Sequence, residues 1–421
     1  MPRRNRIEQF DPREVGILFV TQRCVRRAFL TGFDPVSGVD YSYRKEMIRK
    51  RMESLSSVFG IEVLTYAILS NHMHLVIRNR PDIVANWNDR IAAEHWLRIF
   101  PGKRIDQDLG VPSSTDIDAL VANEERLKIL RIRLSDPSWY MKSLSETIAR
   151  RCNQADQATG HFWEGRFKAQ AILDETSLLA CSMYVDLNPI RAKMSETIET
   201  SEFTSAYDRI QTLQGKTIES AALDTPLLTQ GEVAKVMQDT AVENLQKLKR
   251  KNQRGKRRRV APDAWLAPVQ MLDKRPRQQE GQASYVDLQP SPSGLRPSDR
   301  GFLSFSVQEY LLLLEWAAKQ PGREDQGVMS DKQANLIDRL GVDPAVWSDL
   351  VSNFSRYYAH SGAIGTADSL RREAERRRRS HYQAERQLAA SPPGAAGKLA
   401  KATDSVATTP PSPSPPPPVV S

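Results

Sequence analysis

The sequence is short of cysteine and has no long apolar run. Its three cysteines, Cys24, Cys152 and Cys181, are odd in number and far apart, so they offer neither a disulfide framework nor a four-cysteine zinc site. Reduced thiols are expected. No stretch reaches 18 apolar residues, and the first residues, "MPRRNRIEQFDPRE", lack the apolar segment of a secretory signal. We therefore expect a soluble, cytoplasmic protein with no membrane partner. No internal repeat is visible, and no His-Glu-x-x-His pattern suggests a zinc hydrolase. Acidic residues are outnumbered, 51 against 60 Lys and Arg, which gives a formal charge of +9. A polyanion, nucleic acid first, is the expected partner.

At 421 residues the chain is long enough for more than one domain. "EVGILFVTQRCVRRAFL" (14–30) suits a buried strand that ends in the basic patch Arg23, Arg26 and Arg27. Residues 41–58 place Met47, Ile48, Met52 and Leu55 at helical spacing under a basic outer face. "IEVLTYAIL" and "MHLVIRN" read as two strands joined at Ser70 and Asn71, or as one bent strand. From Ile83 to Cys152 the pattern is mostly helical, ending in an amphipathic helix. "TGHFWEGRFKAQAI" (159–172) alternates as a strand or hairpin does, and Asp174 suits the N-cap of the helix that Pro189 should end.

Beyond residue 200 the pattern weakens. In "KLKRKNQRGKRRR" (247–259), nine of thirteen residues are Lys or Arg, which reads as a solvated segment or a phosphate-binding arm. Residues 275–301 are linker-like, 302–320 and 331–358 regain apolar periodicity, and "RREAERRRR" (371–379) most simply makes an exposed helix face. A Pro/Ser-rich tail should be disordered. We expect four parts: a catalytic domain at 1–215 with an insertion at about 80–136, a helical extension with basic segment and linker at 216–300, a small helical module at 301–382, and a tail at 383–421.

Two histidines interrupt "LSNHMHLVI" (69–77). In a strand, positions i and i+2 share a face, so His72 and His74 could bind one ion while Met73 faces away. Alone, such a pair is more often ordinary. In "MYVDLNPIRA" (183–192), Tyr184 and Asn188 stand one helical turn apart, offering a phenol that could be a nucleophile and an amide oxygen that could be a metal ligand. The plain alternative makes Tyr184 a core residue and Asn188 a helix cap.

Together these stretches resemble a known family. "SNHMHLVI" looks like the histidine-hydrophobe-histidine (HUH) signature, and "YVDLNPIRA" looks like the tyrosine helix of single-tyrosine HUH transposases, most of all the REP-associated tyrosine transposases and their relatives. "GHFWEGRFKAQAI" resembles the aromatic, basic strand before that helix. The likeness spans roughly residues 12–210.

It implies an α+β fold, with a central antiparallel sheet carrying the histidines on a middle strand and helices packed on it; the mainly helical C-terminal module is expected from apolar periodicity alone. It also implies that His72, His74 and Asn188 hold Mg²⁺ or Mn²⁺, ahead of zinc, and that Tyr184 attacks single-stranded DNA to form a 5′-phosphotyrosine. Arg166, Lys168, Arg23 and Arg191 are the expected DNA contacts, while Phe162, Trp163 and Phe167 read as core before they read as base-stacking surfaces. The expected function is DNA transposition and recombination on hairpin-forming repeats, at the nucleoid, by a monomer or homodimer. The competing readings are a non-cleaving module for structured single-stranded DNA or RNA and an HUH enzyme that nicks for replication or conjugation.

Overall fold

The computed structural model describes residues 10–25, 31–34, 38–100, 112–222, 258–271, 289–319 and 362–376, with scattered positions between 333 and 354. Most of the basic block at 247–259 and the expected tail at 383–421 lie outside the described residues.

Five strands form one sheet in the order β2-β3-β1-β4-β7. They are β1 (Gly16–Arg23), β2 (Ile61–Ile68), β3 (His72–Asn79), β4 (Lys168–Ile172) and β7 (Ala363–Ile364). A separate ribbon pairs β5 (Ile218–Glu219) with β6 (Arg259–Val260). The central pairings are antiparallel, but β7 joins β4 in parallel. The sheet is thus mixed rather than wholly antiparallel, because β7 arrives from the far end of the chain instead of through a hairpin.

Both faces of the sheet are covered, and strand alternation decides what each meets. Leu18, Val20, Leu75 and Ile77 pack with α1 (Tyr43–Ser56) and α6 (Pro137–Ala155). That core continues into a helical layer of α2 (Pro81–Asn86), α3 (Asp89–Ile99), α4 (Ser114–Val121) and α5 (Glu124–Leu134), which fills the stretch expected as an insertion. Phe19 and Val76, on the opposite face, pack with α7 (Glu175–Asp186), α9 (Ser205–Leu213) and α10 (Val307–Ala318). A short helix, α8 (Asn188–Arg191), follows α7. His72 and His74 share the parity of Val76, so they face α7.

The N-cap of α7 is Asp174, whose side chain accepts from the Ser177 backbone N–H, as its sequence position suggested. The basic face expected for α1 is partly internal. Arg44 is buried against Asp156, and Arg49 against Asp208 and Glu53. Burying these cations is tolerable because each meets a carboxylate.

The composition reads as a linker at 275–301 with a small helical module beyond it, and residues 275–288 lie outside the described residues. The described residues 289–319 belong to a compact unit, Met1–Thr366. The buried Glu62 carboxylate accepts from Arg78 Nε (2.5 Å), from Arg80 Nη1 (3.1 Å) and from the Ser298 hydroxyl. Arg78 also donates to the carbonyls of Gly301 (3.0 Å) and Arg300 (2.6 Å). Segment 298–301 therefore completes the solvation of charges that lie inside the fold. At Gly301 a Cβ would sit 2.1 Å from the Gln270 carbonyl oxygen, so only glycine fits. Buried Tyr310 of α10 donates to Asp186 of α7 (2.6 Å). Ala367–Ser421 is a second unit, in which 367–376 is helical and mostly exposed.

Candidate active site

The antiparallel register of β1 and β3 sets Thr21 opposite His74 and Arg23 opposite His72. The two imidazoles lie edge to face with ring centroids 4.6 Å apart. The Thr21 hydroxyl contacts His74 Nδ1 at 3.2 Å, and His72 Nδ1 lies 2.5 Å from Asn71 Oδ1. With its Nδ1 engaged in this way, each ring has Nε2 left over. His74 Nε2 is buried and has no hydrogen-bond partner among the described residues. Burial pushes the His72 pKa down to about 4, helped by the charge of Arg23. Burial lowers His74 further, with His72 and Arg23 adding to it. Both rings are neutral at pH 7, the state in which an imidazole ligates a metal.

Tyr184 comes to this pair from α7, with its ring 5.7 Å from that of His74. It is held on several sides. Phe19, stacked on His74 at 5.4 Å, meets the tyrosine edge-on at 6.1 Å, and Phe354 stacks on it at 4.7 Å. The helix itself is clamped through Asp186, which accepts from the Ser205 hydroxyl (2.6 Å), the Ala206 N–H (3.0 Å) and Tyr310. Two residues along a helix turn through about 200°, so this clamp grips the face away from Tyr184.

Thr21, Arg23, His72, His74, Arg166, Lys168 and Tyr184, with Glu164 and Gly165, enclose a cleft of about 470 Å³. Its charged lining is three cations to one carboxylate, which suits an anionic ligand. Six of the eight expected site residues thus meet in one place: His72, His74, Tyr184, Arg23, Arg166 and Lys168.

The other two do not line the cleft. Helix α7 ends at Asp186 and Asn188 opens the short α8, with Leu187 between them still in right-handed helical geometry. Pro189 sits inside α8 and does not end the helical course. Arg191, expected on DNA, donates to the Val351 carbonyl (2.7 Å), and its guanidinium lies 5.7 Å from the Tyr184 ring centroid. Phe162 and Phe167 are core residues. Sequence reasoning passed over Thr21, Glu164 and Phe354.

Among the described residues no three His, Cys, Asp or Glu side chains form a metal-binding group. The donors that do fit a divalent ion are the two neutral imidazoles, one with an orphaned Nε2, facing an anion-binding cleft.

No family model and no curated protein matches the chain. A solved structure described as the REP-associated tyrosine transposase bound to a REP hairpin is similar over 51% of this chain and 88% of that one, with 12% identity and a TM-score of 0.28. At that score the likeness fixes neither fold nor activity for this chain.

Proposed function

We propose that this chain is a DNA transposase of the single-tyrosine HUH type, a metal-dependent enzyme that cuts and rejoins single-stranded DNA at hairpin-forming repeats. One observation carries the reading. Two neutral histidines and a tyrosine 110 residues away in sequence converge on one cationic cleft, and the buried Nε2 of His74 has no hydrogen-bond partner among the described residues.

Arg23, Arg166 and Lys168 bind the phosphates of the strand and bring a phosphodiester to Tyr184. The phenol oxygen attacks phosphorus, forming a Tyr184 Oη–P bond as the P–O3′ bond breaks. The bonding pair leaves with the 3′-oxygen, which gains a proton while the phenol loses one. The products are a 5′-phosphotyrosine and a free 3′-hydroxyl. Attack by a new 3′-hydroxyl reverses the step and releases Tyr184, so joining needs no external energy source. His72 and His74, with Asn188 as the proposed third donor, would hold Mg²⁺ or Mn²⁺, whose part is to polarise the scissile phosphate and offset its growing charge. Phe354 and Phe19 hold the phenol ring in place, which limits the orientations it must give up before attack.

The test uses purified full-length chain, labelled hairpin single-stranded DNA and Mn²⁺, beside Tyr184→Phe and a chelated control. A covalent adduct that disappears in both controls is expected. Binding by both proteins with no adduct from either would replace this reading with a non-cleaving module for structured single-stranded DNA or RNA.

A further inference from the structure

A second pocket, of about 660 Å³, lies between α6 and the segment 160–167, and shares Gly165 and Arg166 with the histidine–tyrosine cleft. Its walls are aromatic, which the chemistry at Tyr184 does not require. Trp139 and Trp163 are only partly buried there, whereas Phe162 and Phe167 close the wall from within the core. Trp163 is fixed in orientation, because its indole N–H donates to the Ser145 carbonyl at 2.8 Å. The exposed cation Lys142 also lines the pocket, with its ammonium 4.8 Å from the Trp139 ring centroid.

Two polar atoms of this lining are buried without a hydrogen-bond partner among the described residues. Gln22 is 3% exposed, and its amide nitrogen donates to the Gly165 carbonyl at 3.0 Å. Its Oε1 is one of the two, and the hydroxyl of Ser145 is the other. An orphaned buried acceptor is costly, and the open volume both residues border is the place from which a donor can come. Planar aromatic walls, an unsatisfied acceptor and cations at the mouth together describe the needs of a nucleobase: a stacking face, an N–H group to be accepted and a phosphate to be neutralised.

We propose that this pocket takes one unpaired base of the same DNA strand whose neighbouring phosphate lies in the histidine–tyrosine cleft, a reading that rests on that cleft being a single-strand DNA site. The strand passes over Gly165, where no side chain obstructs it, and Arg166 serves both chambers. Trp163 supplies the stacking plane, and Gln22 Oε1 accepts from the base, favouring those with an exocyclic amine. The pocket thereby sets which phosphate reaches Tyr184.

The experiment measures fluorescence anisotropy of full-length Tyr184→Phe protein with labelled oligo-dA and with an abasic strand of equal length and charge. Oligo-dA should bind about ten-fold or more tightly than the abasic strand, the range expected of base stacking on an aromatic side chain. Trp163→Leu should abolish that difference and keep the residual phosphate affinity. Ser145→Leu, which fills the pocket while leaving the backbone carbonyl that anchors Trp163, should do the same, so the outcome does not hang on one variant's folding. Equal affinity of Tyr184→Phe for the two strands, or a preference that survives both pocket variants, overturns the base pocket. If the wild-type chain still forms the covalent adduct in that case, the reading of the cleft stands. Failure to bind either strand overturns both.

Discussion

Tyr310→Phe removes one hydroxyl and tests whether the chain beyond residue 300 belongs to the same folding unit as the histidine strand. Tyr310 is buried, and its hydroxyl donates to Asp186 at 2.6 Å, across 124 residues of sequence. The partner carboxylate is itself fully buried, and burial pushes its pKa up, against the pull of Arg209 and of three donors. Losing a hydrogen bond to such a group costs about 1.5–3 kcal/mol, and the aromatic ring still fills its space, so no cavity term is added. A change of about 2 kcal/mol lowers Tm by roughly 4 °C in a domain of a few hundred residues. The assay is differential scanning calorimetry of the full chain. One transition carrying Phe19, Tyr184 and Tyr310 together should shift as a whole. A minor transition that moves alone, leaving the main one in place, would refute the single unit.

Thr21→Val keeps the shape of the strand but takes away the Nδ1 partner of His74, so Mn²⁺ affinity measured by calorimetric titration should fall about 10- to 100-fold; unchanged affinity would separate that contact from the metal. Phe354→Ala should cost about 3–5 kcal/mol in urea unfolding, because the ring is buried against both Phe19 and Tyr184. A loss below about 1 kcal/mol would count against that packing. Asp208 is held by Tyr66 and Arg49, yet burial pushes its pKa up to about 6. The folded state therefore binds a proton that the unfolded state releases near pH 4, so this group's contribution to stability is full below about pH 4 and is lost as pH rises through 6. Asp208→Asn should flatten that part of the stability profile by up to about 3 kcal/mol in chemical denaturation, and an unaltered slope would rule Asp208 out as its source.

The three central strands were legible because β-branched and apolar residues run between turn formers, and the cap at Asp174 because its chemistry is local. His72, His74 and Tyr184 stood out through their order along the chain. Thr21 could not, since its meaning depends on the register that sets it opposite His74, 53 residues on. Arg44, Arg49 and Arg191 read as surface charges, although two meet buried carboxylates and the third a carbonyl and a ring. The stretch around Ser298 has the composition of a linker. What makes it structural is a debt elsewhere, the unsolvated guanidinium groups of Arg78 and Arg80. The apolar periodicity marked Phe354 for a core but not for a place beside Tyr184, because stacking on a residue 170 positions earlier leaves no local pattern.

The parallel partner of β4 also orders events in time. Ile172 is paired by Ile364, a strand that emerges from the ribosome roughly 190 residues later. At about 5–20 residues per second, that interval lasts on the order of 10–40 s. Throughout it the nascent sheet has an unpaired border at β4, and the phenol of Tyr184 has been made but not yet met by Phe354. The newborn chain thus holds its histidines and its tyrosine well before it holds the residues that pin them, and its assembly has a vulnerable stage that a chain ending near residue 215 would never leave.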